Sequence, residues 1–162
     1  MDILKVIRHT DGGDKYLENG VNYNFKEKTE ISEKLVETVG YGVSGANPKQ
    51  AHDQMYAVKE YYGKTEDNPL MHFIVSFDKS VSNADTASDY TAKIADYLKN
   101  DYQMITSVHQ ENQGNSLYHA HIVMNSVNYN NGKLYHSGIG ELKQLAMHVH
   151  DVTGNYCRIK FD

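Results

Sequence analysis

Three histidines in the second half of the chain have residue types and a spacing that suit metal binding. His119 and His121 lie in the largely apolar segment 118–129, which predicts a β-strand. Because side chains alternate between the two faces of a strand, both imidazoles then point to one face, about 6.5–7 Å apart along the strand. At that separation they can share one metal ion that lies about 2.0–2.2 Å from each nitrogen.

His109 and Glu111 extend this pattern to the preceding predicted strand, 104–109. Strand alternation places both on one face, and if the two strands pair, His109 joins His119 and His121. Glu111 would then stand behind the imidazoles as a hydrogen-bond acceptor. The simpler interpretation, surface or packed core histidines, explains His119 and His121 alone, whereas the third histidine and the carboxylate favour a metal site. Of the others, His72 has the same parity but suits a packed imidazole equally well, His148 and His150 fit an exposed helix face, and His9, His52 and His136 have no evident partner.

The elements that must position these residues follow from hydrophobic periodicity. Period-two or short apolar segments predict strands over 3–7, 35–43, 71–77, 104–109, 118–129 and 157–161. Helices are predicted up to residue 23, from Asn47-Pro48 onward, over 83–98 and over 138–152, and Asn130-Asn131-Gly132 predicts a hairpin turn. In the second helix the apolar stripe reads Ala51, Met55, Val58 and Tyr62. We therefore predict an α+β fold, a central antiparallel β-sheet with helices packed on it.

Length and composition restrict the class of protein. A chain of 162 residues without a linker-like segment predicts a single domain over 1–162. The single cysteine excludes an internal disulfide framework, and with no secretory or transmembrane segment it predicts a cytoplasmic protein. The net charge of −5 is unlike that of a protein that binds DNA through nonspecific phosphate contacts alone.

Several motifs together resemble plasmid-mobilization relaxases of the HUH endonuclease class. The segment His109-x-Glu111 followed by His119-x-His121 resembles their three-histidine motif, although Glu111 stands where the family usually has aspartate and the intervening loop is longer. The segment Val21-Asn22-Tyr23, followed by Glu27-Lys28-Thr29, resembles their N-terminal segment. In the family's order come Val43–Asn47, Tyr61–Thr65, His72–Phe77 and Asn130–His136, so that the resemblance spans about 21–136 and implies an HUH-endonuclease-like fold.

The resemblance implies a DNA strand transferase that nicks one strand at an origin of transfer during mobilization. The Tyr23 hydroxyl would attack the scissile phosphate to leave a 5′-phosphotyrosyl link, with Glu111 supporting the site and Mg²⁺ or Mn²⁺ on His109, His119 and His121. Tyr16 is the second choice of nucleophile, and Tyr118 is excluded because strand parity places it on the opposite face. The implied partners are single-stranded or supercoiled DNA at the origin and an accessory relaxosome protein. The DNA contacts expected on this basis are Lys26, Lys28, Lys64 and Asn125.

Three other functions would explain part of the sequence. A rolling-circle replication initiator would use the same histidines, but there the tyrosine normally follows them. A non-catalytic relaxase relic that only binds an origin or a partner protein would suit the acidic charge, but Tyr23 and the three histidines are all present. A structural zinc site in an unrelated α+β domain would explain the histidines but not the motifs around Tyr23, Ser44-Gly45 and His72.

Overall fold

The computed structural model of the chain describes residues 1–7, 14–25, 33–65, 70–111 and 116–162. Strands and helices mix along the described chain as the periodicity predicts. In chain order they are β1 (Asp2–Ile7), α1 (Asp14–Tyr23), β2 (Glu33–Tyr41), α2 (Pro48–Tyr61), β3 (Leu70–Ser76), α3 (Ala84–Ala95), β4 (Met104–Glu111), β5 (Tyr118–Asn125), α4 (Ile139–Thr153) and β6 (Cys157–Phe161).

The six strands form one mixed sheet in the order β2-β4-β5-β3-β1-β6. Four neighbouring pairs are antiparallel, whereas β6 runs parallel to β1 at one edge. The predicted α+β class is therefore confirmed, and the antiparallel prediction fails only at this edge. Alternation along a strand predicts which face a side chain occupies, but it carries no information on which strand becomes the neighbour.

The two faces of the sheet are covered by different helix pairs. Helices α3 and α4 pack on the face that carries Phe73, Val108, Ala120 and Ile122, and this cluster is the larger hydrophobic core. Helices α1 and α2 pack on the opposite face through a smaller apolar cluster, which consists of Leu17, Val21, Ala51, Met55, Leu70, Ile105 and Val123. This second cluster covers only part of its face, because the same strands continue from Ile105 and Val123 into histidines.

Helix α2 begins where the sequence predicts. The Asn47 side chain accepts a hydrogen bond of 3.0 Å from the backbone N–H of Gln50, and Pro48 occupies the first turn. The predicted stripe is right only at its first two positions, because the buried residues of α2 are Ala51, Met55 and Lys59, and Tyr62 lies just beyond the end of the helix. The i, i+4 ridge faces the sheet, and it places Lys59, which is only 1% exposed and has a buried Nζ, where an apolar residue was expected.

The predicted turn at Asn130-Asn131-Gly132 is present, but the strand before it is shorter than predicted. Strand β5 ends at Asn125, and a single antiparallel bridge joins Val127 to Leu134 across the turn. Asparagine side chains in this segment accept hydrogen bonds from the backbone two residues ahead, as Asn128 does from the N–H of Asn130 at 2.8 Å. Such local bonds compete with a regular ladder and shorten the strand.

Candidate metal centre

The register of the central strands assembles the three predicted histidines. Strands β4 and β5 pair antiparallel with His109 directly opposite His119, and Ser107 directly opposite His121. The three imidazole centroids are 5.0–5.7 Å apart, and one ring nitrogen from each residue lies within 4.8 Å of the others. All three side chains are buried, with exposed fractions of 0%, 6% and 2% in chain order. The two strands thus pair in the way that the grouping of the three histidines requires.

The three imidazoles form a donor set that fits a divalent cation. Neutral imidazole nitrogens are common ligands of zinc and of other transition metals. Nitrogens that surround one ion at about 2.0–2.2 Å stand roughly 3–3.5 Å apart, so ring nitrogens that already lie within 4.8 Å of one another need only small ring rotations. The described residues therefore contain a group, His109, His119 and His121, that can hold a metal ion.

Glu111 lies beside the histidines at the end of β4. Its Oε2 is 3.6 Å from Nδ1 of His119, within ion-pair range but too long for a direct hydrogen bond. A carboxylate on the Nδ1 side leaves Nε2 of His119 to face a metal, as in carboxylate–histidine–metal arrangements. This position agrees with an orienting role for Glu111 outside the coordination sphere.

A fourth histidine, His72 of β3, joins this group. Its Nε2 lies 3.3 Å from Nδ1 of His121, and its side chain is only 9% exposed. A hydrogen bond between two neutral imidazoles requires one nitrogen to donate and the other to accept, which specifies the tautomer of each ring. Strand parity indicated the correct face for His72, but no sequence signal predicted that β3 would pair with β5 and bring it to His121.

Tyr23 ends helix α1 directly against the imidazoles. Its ring centroid is 4.7 Å from that of His121, 5.8 Å from that of His72 and 6.2 Å from that of His109. The side chain is half-buried. Helix α1 reaches this position because Leu17 and Val21 pack into the smaller apolar cluster beside the histidines. The structure therefore brings the predicted nucleophile and the predicted metal ligands together.

Of the other two tyrosines singled out in the sequence, only Tyr118 has a described side chain. The side chain of Tyr16 lies outside the described residues. Tyr118 is 5% exposed and packs in the larger core on the opposite face of the sheet, as its strand parity predicts.

The four predicted DNA contacts fall into three groups. Lys26 and Lys28 lie outside the described residues. Lys64 is half-buried just beyond α2, where its backbone N–H bonds to the carbonyl of Lys59 at 2.8 Å.

Asn125 is fully buried, and its amide group binds protein atoms on both sides. Nδ2 donates to the carbonyl of Met55 at 3.1 Å and to Oε1 of Gln103 at 3.0 Å, while Oδ1 accepts from the N–H of Val127 at 3.1 Å. This side chain joins the end of β5 to α2, to the residue before β4 and to the chain just after β5. We therefore do not retain it as a DNA contact, because parity predicted its face but not its burial under α2.

Comparison with known families agrees with this geometry. The profile of the family described as Relaxase: MobA/VirD2-like, nuclease domain, matches residues 16–156. The chain belongs to this relaxase family. The matched range includes Tyr23, His72, Glu111 and the three histidines, and the mixed sheet with its helices is consistent with the HUH-like fold predicted from the motifs. No curated protein and no solved structure is similar enough to this chain to count as a match.

Membership of the relaxase family implies nuclease activity on DNA. Among the described residues, none of the helices combines the length and apolar character needed to cross a membrane.

Proposed function

We propose that this relaxase domain makes a site- and strand-specific nick at an origin of transfer, with Tyr23 as the nucleophile, during plasmid or conjugative-element mobilization. The observation that carries the proposal is the contact of the Tyr23 ring with three imidazoles, two of them in the candidate metal group. A tyrosine at the end of a helix, half-buried against such a group, can present its hydroxyl to a phosphate that approaches the same imidazoles.

The proposed reaction is a transesterification in which one phosphate ester replaces another. Oη of Tyr23 forms a bond to phosphorus, and the bond from phosphorus to the 3′ oxygen of the preceding nucleotide breaks. The tyrosine loses its hydroxyl proton and the leaving 3′ oxygen gains one, so that the products are a 5′-phosphotyrosine and a free 3′-hydroxyl. Because the ester bond is conserved, the reverse reaction rejoins the strand without ATP.

The histidine group would hold Mg²⁺ or Mn²⁺, and imidazole ligation favours Mn²⁺ of the two. A bound divalent cation supplies positive charge that stabilises the phosphate oxygens and lowers the cost of forming a tyrosinate. Within the protein, His109, His119 and His121 would supply the ligand nitrogens, Glu111 would orient His119, and His72 would orient His121. Tyr23 packs over this group and carries the hydroxyl.

The acidic net charge bears on how the domain finds its substrate. At −5 the chain has little electrostatic attraction for DNA as a whole. We therefore propose that an accessory relaxosome protein supplies affinity for single-stranded or supercoiled origin DNA, while Lys26, Lys28 and Lys64 make local phosphate contacts. We also propose that residues 1–162 form a single nuclease domain that acts in the cytoplasm.

The test is incubation with supercoiled DNA that carries candidate transfer origins, in the presence of Mn²⁺. We expect relaxed circles with protein attached covalently, and peptide mapping should place the adduct on Tyr23. Tyr23→Phe should abolish both the nick and the adduct while noncovalent binding to an origin oligonucleotide persists. Tyr61→Phe is the matched control, since Tyr61 is 82% exposed at the end of α2.

Three outcomes would contradict the proposal. An adduct on Tyr16 would show that the motif was assigned to the wrong tyrosine. Full cleavage by Tyr23→Phe would exclude the covalent role. Binding of origin DNA without any nick, under conditions in which Mn²⁺ is bound, would favour a non-catalytic relaxase relic.

A further inference from the structure

The residue that follows Tyr23 is a fully buried asparagine. Asn24 has no exposed surface, although it lies at the end of α1 beside the apolar cluster that contains Leu17 and Val21. Burial of an amide is unfavourable unless its polar atoms form hydrogen bonds. The contacts of Asn24 therefore indicate what this position contributes to the fold.

Asn24 bonds to three different elements. Its Oδ1 accepts a hydrogen bond from Oγ of Ser107 in β4 at 2.7 Å, and its backbone carbonyl accepts one from Oγ1 of Thr38 in β2, also at 2.7 Å. Its Nδ2 donates to the carbonyl of Gly20 in α1 at 3.3 Å. One residue thus connects the end of the helix to two neighbouring strands of the sheet.

Ser107 connects this set of bonds to the histidines. It lies directly opposite His121 in the β4–β5 register, two residues before His109, and it is fully buried. Asn24 therefore attaches the chain next to Tyr23 to the strand position that adjoins both imidazoles. Tyr23 itself packs against His121 with a centroid distance of 4.7 Å.

The apolar contacts of α1 do not by themselves fix the position of Tyr23 relative to the imidazoles. Packing of Leu17 and Val21 is non-directional, and it permits small shifts or rotations of the last helical turn. Two hydrogen bonds of 2.7 Å to rigid strands restrict such shifts, because hydrogen bonds weaken steeply with poor geometry. A misplacement of about 1 Å at a reacting group can reduce a rate by about 100-fold.

We infer that Asn24, together with Ser107 and Thr38, forms a positioning latch that sets where the Tyr23 hydroxyl stands relative to the histidine group. This inference rests on the proposed role of Tyr23 as nucleophile. None of the three latch residues is assigned to contact DNA or metal. They act through the end of α1 and determine rate rather than binding.

The first test compares cleavage with binding. We expect Asn24→Ala and Ser107→Ala to lower the single-turnover nicking rate by about 10–100-fold. The dissociation constants for an origin oligonucleotide and for Mn²⁺ should stay within about 2-fold of wild type, because the latch changes orientation and not affinity. The double variant should be no slower than the slower single variant, since both substitutions remove the same bond. A fully additive loss, or an equal loss of DNA affinity, would overturn the latch.

Thr38 allows a test with an internal rescue if the Asn24 and Ser107 variants fail to fold. Thr38→Val removes the hydroxyl at nearly constant volume and should slow nicking, whereas Thr38→Ser keeps the hydroxyl and should restore the wild-type rate. Thr91→Val is the matched control, because Thr91 in α3 also donates a buried hydrogen bond of 2.7 Å, to the carbonyl of Ala87. Thr91 lies in the helix pair that covers the other face of the sheet, away from the histidines. Equal rates for Thr38→Val and Thr38→Ser would overturn the latch.

A second readout separates the latch from the nuclease function. In the metal-free protein, we expect nuclear Overhauser effects between the ring protons of Tyr23 and the imidazole of His121, and we expect Ser107→Ala to weaken or abolish them. Effects between Val21 and its apolar cluster should persist. If the wild-type protein does not cleave DNA, this measurement still tests the latch. Unchanged Tyr23–His121 effects in Ser107→Ala would overturn it even if cleavage is confirmed.

Discussion

Addition of Mn²⁺ to the metal-free protein should raise its unfolding temperature, and His121→Ala should remove most of that rise. His121 is 2% exposed and lies at the centre of the site, where its ring contacts those of His109, His119, His72 and Tyr23. A ligand that binds only the folded protein stabilises it by mass action. The thermal shift therefore measures the histidine site independently of any reaction on DNA.

The expected size follows from the linkage relation. At a Mn²⁺ concentration 100 times the dissociation constant, the stabilisation is about 2.7 kcal/mol. For a chain of this size, 1 kcal/mol shifts the unfolding temperature by about 2–4 °C, so that the rise should be about 5–11 °C. Loss of a partner outside the coordination sphere already costs about 10–100-fold in affinity, and His121 is proposed as a direct ligand. A 100-fold weaker site at the same Mn²⁺ concentration retains only about 0.4 kcal/mol, a shift of about 1–2 °C.

The assay is thermal unfolding followed by circular dichroism, on protein stripped with a chelator, with the Mn²⁺ concentration chosen from a calorimetric titration. His136→Ala is the matched control, because His136 is exposed and lies outside the candidate metal group. It should show the full wild-type rise. A rise in His121→Ala equal to that of wild type would refute the assignment of the site. So would a wild-type protein whose unfolding temperature changes by less than about 1 °C at saturating Mn²⁺ and Mg²⁺.

Three further predictions concern the neighbours of the site and the core. Glu111→Gln should weaken Mn²⁺ binding by about 10–100-fold without loss of the fold, because Oε2 of Glu111 lies 3.6 Å from Nδ1 of His119. A calorimetric titration measures this affinity, and spectroscopic evidence for a carboxylate ligand would contradict an orienting role for Glu111. His72→Ala should weaken Mn²⁺ binding on a similar scale, because it removes the partner 3.3 Å from Nδ1 of His121; wild-type affinity in the same titration would show that this contact is only packing. Burial raises the pKa of Cys157 to about 11, so that about one thiol in a thousand is ionised at pH 8. Iodoacetamide followed by mass spectrometry should then detect slow alkylation that accelerates in denaturant, and reaction of the native protein at the rate of free cysteine would disprove the burial.

The sequence alone predicted the parts of this protein that depend on local periodicity. Alternation along two predicted strands placed His109, His119 and His121 on common faces, because side-chain direction in a strand repeats every two residues. The cap at Asn47 and the strand at Cys157–Phe161 also followed from local signals. These features need only the geometry of one element, and the structure has them where the residues predicted them.

The tertiary structure decided which elements pair or pack against one another. The pairing of β3 with β5 brought His72 to His121, and the packing of α1 on the smaller apolar cluster brought Tyr23 to the imidazoles. The same packing buried Asn24 against Ser107. Neighbour choice and helix placement depend on the free energy of the whole chain, which no local pattern encodes. The chemistry-bearing residues could therefore be identified from the sequence, whereas their mutual distances, and the burial of Asn24 next to Tyr23, came only from packing.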